Sequence, residues 1–296
     1  MPVLKMKKQR MKSVIISYRP GQLGNMLFLF SNFIAWGIEK NVCVKAPAFE
    51  KYAEYFNSTQ YALTPSYPSR NSLIKSTRLR KLIFIASSLS AKIIFRLKLN
   101  NRLFSSINID WNESLNLEDE ATVKLFNSRF IFIQGWLYRS RSFVGKHKKE
   151  IVAFFTPTDV HQKRINKLIP SNHEIIIGIH IRHGDYKTFE GGKYYYSVDQ
   201  YKEIMQRISA LFPSEKITFL VCSNSKEIPE SLSSMNIIKG TNHELEDLYA
   251  FSKCDYLAGP PSTYTMWASY YGDVPLYQVH NPDAVFTIED FKIIKS

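Results

Sequence analysis

A cluster of ionisable side chains follows an isoleucine-rich run and is the most informative segment of the chain. The cluster is His180-Ile181-Arg182-His183-Gly184-Asp185, directly after the run 175–179. A guanidinium presents a planar fork of donors that matches a phosphate or a carboxylate. The cluster therefore predicts an anion site, with a nucleoside diphosphate as the expected occupant.

Two glycine-containing loops have the composition of further phosphate contacts. In Gly21-Gln22-Leu23-Gly24-Asn25, the glycines allow close backbone approach, and the free amides of the helix that follows favour an anion. This loop is not a P-loop, because no Gly-Lys-Ser/Thr follows it. In Gly259-Pro260-Pro261-Ser262-Thr263, the two hydroxyl residues serve either as helix N-caps or as phosphate donors. Each loop alone also has an ordinary structural explanation.

The elements that position these segments can be inferred from the pattern of apolar residues. The isoleucine run is typical of a strand buried on both faces. The predicted strands of this half are 174–181, 217–222, 237–239, 256–258 and 276–279, and the predicted helices are 198–211, 244–253 and 263–271. This alternation predicts a parallel, doubly wound sheet, which binds ligands at the carboxyl ends of its strands.

The first half of the chain opens in the same way. A strand over 14–18, a glycine loop and a helix reaching residue 37 come first, and another strand follows at 130–134. A length of 296 residues fits two domains of about 150 residues each. We therefore predict an α/β fold with two Rossmann-like domains, 1–170 and 171–296, facing each other across a cleft.

The net charge of +13 is unevenly distributed. Between residues 55 and 109 there are nine lysines and arginines and no acidic residue, and the centre of this stretch, 82–95, is mostly apolar. One interpretation is a half-buried helix with a solvated basic face. A second is attachment of 79–104 to an anionic membrane surface, and a third is nucleic-acid binding. No nucleic-acid-binding motif accompanies the charge, so we expect no nucleic-acid partner.

Cysteines, histidines and the N-terminus set further expectations. Cys43, Cys222 and Cys254 are widely separated, which predicts buried thiols in a reducing compartment. The histidines do not combine with cysteines or carboxylates at ligand spacings, so we predict no metal site. The basic N-terminus lacks the apolar region of a signal peptide. We expect a cytoplasmic protein, attached at most peripherally to the inner face of a membrane.

The order of four segments resembles the α-1,2-fucosyltransferases of glycosyltransferase family 11 and, more distantly, the α-1,6- and protein O-fucosyltransferases. The matching segments are 21–28, 133–136, 180–186 and 247–267. The H-x-R-x-x-D pattern after an apolar strand is the most specific of them. The chain differs from the family where His183 replaces a second arginine and where one of two adjacent tryptophans is missing beside Trp267.

The resemblance implies a GT-B arrangement, GDP-fucose as the donor, inversion at fucose C1, and no metal ion or other cofactor. Arg182, Ser262 and Thr263 would hold the β-phosphate, and His180 and Asp247 would contact guanine. The other implied donor contacts are Gly24, Asn25 and His183, with Asn25 reaching across the cleft to the sugar-phosphate.

A carboxylate base would help to deprotonate the acceptor hydroxyl. Glu190 matches the base position of the α-1,6 enzymes, whereas Asp185 is expected to anchor its loop. We predict an inverting fucosyltransferase acting on a glycan hydroxyl, with an α-1,2 linkage to a galactoside. The alternatives are a GT-B transferase that uses another nucleotide sugar and, from a different class, a basic nucleic-acid-binding protein.

Overall fold

A computed structural model describes residues 12–169, 175–224, 232 and 235–295. The chain forms two compact units that divide after Thr156. The first unit thus ends earlier than residue 170, and the helix over 159–168 belongs to the second unit. Both units are built on a five-stranded, mainly parallel sheet.

The first unit begins with the predicted strand, loop and helix. In chain order its elements are β1 (Ser13–Ile16), α1 (Leu23–Lys40), β2 (Cys43–Lys45), a 3-10 helix (Pro47–Tyr55), β3 (Ser66–Tyr67), α2 (Thr77–Arg96), β4 (Phe104–Asn108), β5 (Leu115–Asn116), α3 (Glu120–Leu125), β6 (Phe130–Gln134), β7 (Tyr138–Arg139), α4 (Arg141–Lys146) and α5 (Lys148–Phe154). The main sheet has the order β3-β2-β1-β6-β4, in which only the β2–β3 pair is antiparallel. Because β1 has later strands on both sides, the carboxyl ends of β1 and β6 form a topological switch point.

Helix α1 is the core of the first unit. Fourteen of its eighteen residues are buried, as expected for a helix that is apolar on every side. Its Phe30 ring packs edge-on against Phe49, Phe154 and Phe155, with centroids 5.3–5.7 Å apart. This packing fixes the first turn of α1 within the unit.

Helix α2 is less buried than the half-buried interpretation predicts. Only Arg80 and Ala91 are buried, and the Arg80 guanidinium is bonded to Glu54 and to the carbonyls of Gln60 and Ala62. The other eight basic residues between 55 and 109 are exposed. The helix also exposes one apolar stripe, made of Leu82, Ile85, Leu89 and Ile93. Among the helices of the described ranges, none is long and apolar enough to cross a membrane.

The second unit follows the predicted alternation closely. In chain order its elements are α6 (Asp159–Leu168), β8 (Ile175–Ile181), two 3-10 turns (Gly184–Lys187 and Phe189–Gly192), α7 (Val198–Ala210), β9 (Ile217–Ser223), β10 (Ile237–Lys239), α8 (Glu244–Phe251), β11 (Tyr256–Gly259), α9 (Thr263–Gly272), β12 (Leu276–Gln278) and a third 3-10 turn (Ile288–Asp290). All strand pairs are parallel, in the order β10-β9-β8-β11-β12. The predicted doubly wound parallel sheet is confirmed.

The central strand β8 is buried along its length except at Ile175. A Cβ atom at Gly178 would lie 2.5 Å from a Leu257 methyl carbon and 2.6 Å from the Phe251 ring, so glycine permits the close approach of β11 and α8. The Asp255 carboxylate accepts a hydrogen bond from the Ile176 amide at 2.8 Å, which links the start of β11 to β8. The three cysteines are buried and unpaired, also as predicted.

A buried ion pair joins α6 to α8. The Glu246 carboxylate, 2% exposed, accepts hydrogen bonds from His161 Nδ1 at 2.8 Å and from the Arg164 guanidinium at 3.1 Å. Burial alone would raise the pKa of Glu246, but these two bonds outweigh it and hold the pKa below its usual value. The pair thus ties the first helix of this unit to the helix that carries Asp247.

We predict that Glu246→Ala lowers the free energy of unfolding by about 2 kcal/mol, because it removes the acceptor of the largely buried His161 ring, whereas the Arg164 side chain is 55% exposed and can bond to water. Urea denaturation at neutral pH measures the change. Glu203→Ala, which removes an exposed carboxylate from α7, is the control and should have almost no effect. Equal stability of the two variants would contradict the stabilising role of this pair.

Candidate functional site

The carboxyl ends of β8 and β11 form the switch point of the second unit. Helix α7 leads from β8 to β9 on one side, and α8 leads from β10 back to β11 on the other side of β8, which leaves a crevice between the two connections. The two strands lie very close there, because a Cβ atom at Gly259 would be 2.9 Å from both Cβ and the carbonyl oxygen of His180. The predicted anion cluster and the Ser262-Thr263 pair are therefore neighbours.

His180 lies one residue before the end of β8, where the strand is still buried, and has an unusual environment. His180 is only 3% exposed, and its imidazole ring stacks on the Tyr264 ring with centroids 5.1 Å apart. Burial, with a smaller contribution from Arg182, lowers the pKa of His180 to about 3. Among the described residues, no partner bonds its Nδ1 atom. The imidazole is thus a neutral group whose Nδ1 remains for a ligand.

Arg182 is oriented by three contacts. Its amide donates to the Tyr201 hydroxyl at 3.1 Å, its guanidinium bonds the Asp185 carboxylate at 2.8 Å, and its Cζ lies 5.1 Å from the centre of the Tyr186 ring. The Asp185 side chain is 55% exposed, and that of Arg182 is 12% exposed. Asp185 is therefore the loop anchor that the sequence suggested, and it orients a partly accessible guanidinium.

Both the imidazole and the backbone amide of His183 are hydrogen-bonded to neighbouring residues. Its Nε2 lies 2.9 Å from the Tyr196 carbonyl oxygen, to which it must donate, and its ring contacts those of Tyr195 and Tyr201. Its amide donates to Asn224 Oδ1 at 2.9 Å. His183 thus lies beside Arg182 in sequence, but its imidazole is used to hold the loop after β8.

The start of α9 brings Ser262 and Thr263 to the same place. Ser262 is the N-cap, with its Oγ accepting from the Tyr264 amide at 3.2 Å, and Thr263 is the first helical residue. The Tyr186 hydroxyl donates to the Pro261 carbonyl at 2.7 Å, which ties this helix start to the loop that carries Arg182. A helix N-terminus beside a guanidinium favours an anion.

Asp247 lies on the same side of the sheet, in the first turns of α8. It is 4% exposed and accepts bonds from the Thr241 amide, the Thr241 hydroxyl and the Asn242 amide at 2.6–3.1 Å. Burial raises its pKa, although these bonds oppose the shift. A Cβ atom at Gly240 would lie 2.8 Å from both carboxylate oxygens. The carboxylate thus orders the loop after β10.

Glu190 lies in the 3-10 turn over 189–192 and is exposed. Its backbone is left-handed, with φ 46° and ψ 41°, a conformation that is uncommon outside glycine. The turn follows the Arg182 loop, and the preceding Phe189 ring stacks on Tyr186 at 5.1 Å. This carboxylate is therefore free of the buried network and accessible to solvent.

Gly24 and Asn25 belong to the first unit. Helix α1 begins at Leu23, so both lie in its first turn rather than in the loop. The Asn25 side-chain amide donates to the Pro20 carbonyl at 2.8 Å, and Gly21 adopts φ +78° beside it. These contacts shape the turn between β1 and α1.

Several site residues were missed by the sequence analysis. Tyr186 and Tyr264 shape the surroundings of Arg182 and His180, and Asn224 bonds the loop at His183 and Asp185. A signal existed for Asn224, which directly follows the buried strand β9. The stacking of Tyr264 on His180 had no signal, because 83 other residues separate them.

One group of potential metal ligands was also missed. The ligand atoms of His161, His243 and Glu246 lie within 4.8 Å of one another. His243 Nδ1 accepts bonds from the amides that open α8, and Arg164 already bonds Glu246. A divalent ion at this group would compete with the guanidinium, so the contacts favour the ion pair described above.

Comparison with known proteins gives structural matches only. No protein-family model and no curated protein sequence matches the chain. Its structure is similar to that of Arabidopsis thaliana FUT1, a mutant in complex with GDP, with a TM-score of 0.62 and 12% identity over 93% of this chain and 72% of that one. It is also similar to the fucosyltransferase NodZ from Bradyrhizobium, with a TM-score of 0.56 and 15% identity over 91% and 96% of the two chains.

These similarities show the fold. The chain has the GT-B-like α/β fold of these fucosyltransferases, which confirms the predicted fold class. In open α/β sheets of this kind, ligands bind at the carboxyl ends of the parallel strands.

We predict that His180 stays neutral in the folded protein down to about pH 4, because its pKa is lowered from 6.5 to about 3. Its contribution to stability is complete above pH 6.5 and is lost as the pH falls, by about 1.4 kcal/mol per unit at the limit. Imidazole nitrogen shifts in NMR measure the protonation directly. His180→Gln should lose less stability than the wild type between pH 6.5 and 4.5, and equal losses would contradict the prediction.

Proposed function

We propose that this protein is an inverting fucosyltransferase that moves L-fucose from GDP-fucose to a hydroxyl group of a glycan. The observation that carries the proposal is the switch point of the second unit, where the Arg182 guanidinium, the start of α9 and the unpartnered Nδ1 of buried His180 lie together. The structural relatives include complexes with GDP and with GDP-fucose, which supports a guanine nucleotide at this place.

The proposed donor contacts are those that the sequence resemblance implies, and the chemistry of each group is compatible with them. Arg182 and the hydroxyls of Ser262 and Thr263 bind the β-phosphate, and His180 and Asp247 bind the guanine base. His180 is suited to a base contact because a neutral imidazole in a buried position can hydrogen-bond without adding charge. His183, Gly24 and Asn25 are further donor contacts in this proposal.

In the reaction, the bond between fucose C1 and the β-phosphate oxygen breaks, and its electron pair stays on GDP. The acceptor oxygen forms a bond to C1 from the opposite face and loses its proton, for which Glu190 is the proposed base. Charge builds on the leaving phosphate, and Arg182 stabilises it together with the donors at the start of α9. The proposed reaction needs no metal ion, since these groups supply the positive charge.

The finer specificity depends on the sequence resemblance to family 11. We propose an α-1,2 linkage to a galactoside, because the segments 21–28, 133–136, 180–186 and 247–267 resemble that family. Another nucleotide sugar is the alternative, since His183 replaces an arginine of the usual motif. A screen for release of GDP, UDP or CMP from sugar donors, with NMR of the product, separates these possibilities; release of UDP or CMP alone would exclude GDP-fucose.

We predict that Arg182→Ala and Glu190→Gln differ in their effects. Arg182→Ala should weaken GDP binding and lower kcat/KM by about 100-fold or more, because it removes the main charge on the leaving group. Glu190→Gln should lower kcat by about 100-fold and leave GDP binding unchanged. Calorimetry with GDP and a coupled assay of GDP release measure both, and Arg141→Ala on α4 is the exposed control. Full GDP-fucose turnover in Arg182→Ala would exclude its phosphate role.

We further propose that α2 attaches the protein to an anionic membrane surface. Eleven exposed large apolar side chains lie between residues 73 and 104, and seven exposed basic residues accompany them without an acidic residue. An exposed apolar face bordered by lysines and arginines matches a bilayer with anionic headgroups, where each basic residue contributes about 1 kcal/mol. The same face would be unfavourable in water alone.

We predict that the protein cosediments with liposomes that contain anionic phosphatidylglycerol and much less with pure phosphatidylcholine, because both charge and apolar burial contribute. Leu89→Glu combined with Ile93→Glu should abolish this binding. Val160→Glu, at a residue 60% exposed on α6, is the matched control and should bind like the wild type. The outcome that would contradict membrane attachment is a wild type that does not bind liposomes but forms a dimer in analytical ultracentrifugation. If the double variant does not form that dimer, the exposed face of α2 is a self-association surface.

A further inference from the structure

Two tryptophans in the first unit form an exposed aromatic surface. Trp111 follows β4 and Trp136 follows β6, and their ring centroids lie 5.2 Å apart with an angle of 35° between the planes. Trp111 is 52% exposed, and Trp136 is half-buried. The two loops start at neighbouring carboxyl ends of one parallel sheet, because Asn108 pairs with Gln134 in the register of β4 and β6.

The backbone is adapted to bring these loops together. Gly135 has φ +98°, and a Cβ atom there would lie 2.5 Å from a side-chain carbon of Ile109 and 2.6 Å from its carbonyl oxygen. A larger residue at 135 would therefore force the loops apart. The Ile109 amide donates to the Gln134 carbonyl at 3.2 Å, which continues the strand pairing into the loops.

Hydrogen bonds hold the two indoles in place. The Trp136 Nε1 donates to the Trp111 carbonyl oxygen at 3.1 Å. The Arg139 guanidinium lies 5.3 Å from the centre of the Trp136 ring and donates to the Trp136 carbonyl at 3.1 Å. The indole N–H of Trp136 is thus used within the protein, so the pair presents mainly apolar faces. An ordered, solvent-accessible aromatic pair is typical of a binding surface.

The position and the rim of this surface select its ligand. Carboxyl ends of parallel strands are where α/β sheets bind ligands, and β6 borders the switch point of this sheet. Three exposed polar residues flank Trp111 in the sequence: Asp110, Asn112 and Glu113. A pyranose ring has an apolar C–H face, which stacks on indole, and a rim of hydroxyls, which bond to carboxylates and amides. Two carboxylates disfavour a phosphate-bearing ligand such as a nucleic acid.

We propose that Trp111 and Trp136 form the surface on which a hexopyranose ring of the acceptor glycan stacks. The role of the bound sugar as the acceptor rests on the proposed fucosyltransferase function. The binding of the sugar to the two indoles does not. Gly135 and Arg139 are positioning residues for the pair, whereas the two indoles contact the sugar directly.

The experiment measures sugar binding without any donor. Saturation-transfer NMR and tryptophan fluorescence are recorded with methyl β-galactoside and lactose on the full chain. We expect ring-proton signals with the wild type, at least about tenfold weaker binding by Trp111→Ala, and partial rescue by Trp111→Tyr, which keeps an aromatic face. Tyr61→Ala, which removes an aromatic ring that is 50% exposed elsewhere in this unit, should leave binding unchanged.

The melting temperature of each variant shows whether it is folded. If Trp111→Ala does not fold, Trp111→Tyr still tests the proposal. Glycan binding that is equal in the wild type and both variants would overturn the proposal, as would the absence of binding by the wild type. Because no GDP-fucose is present, these results do not depend on whether GDP-fucose is the donor. With an active enzyme, Trp111→Ala should raise the acceptor KM and leave the donor KM unchanged.

Discussion

The parallel pairing of β8 with β9 on one side and β11 on the other determines where the polar groups of the second unit can lie. Strand β8 is buried on both faces, so its ionisable residues are confined to its carboxyl end and the loop that follows. Gly178 allows α8 and β11 to approach, and this closeness places the start of α9 beside His180. The candidate site is therefore a consequence of strand order and close packing, to which Arg182, Ser262 and Asp247 are added.

The two main groups of the site have different surroundings. Burial lowers the pKa of His180, whereas the Arg182 guanidinium bonds the Asp185 carboxylate and lies over the Tyr186 ring. A neutral hydrogen-bonding group such as His180 suits the recognition of a nucleotide base, and an oriented cation such as Arg182 suits the recognition of a phosphate. The cost of leaving His180 Nδ1 without a partner in the described residues is one that a bound ligand can offset.

Much of the second unit could be predicted from the sequence because its strands are short apolar runs with turn residues between them. The strand 237–239 and the helix starts at 198, 244 and 263 agree with the structure. Contacts between distant segments could not be predicted, since nothing local marks the stacking of Tyr264 on His180 or the bond of His161 to Glu246. Helix α2 was recognisable from its apolar centre between basic residues. The burial of Arg80 depends on hydrogen bonds to Glu54 and to loop carbonyls, which no local sequence pattern encodes.

A fold shared at 12–15% identity limits what the fold alone can say about chemistry. Apolar patterns of many kinds fill the same sheets, so the core tolerates almost complete replacement. The groups at the strand ends are constrained differently, because a phosphate needs a guanidinium or a helix start at a definite place. His183 illustrates the distinction: its imidazole donates to the Tyr196 carbonyl and so supports the loop, whereas the Arg182 guanidinium bonds the Asp185 carboxylate and is the proposed phosphate contact. The functional proposal therefore depends on Arg182, His180 and the start of α9 more than on the overall similarity.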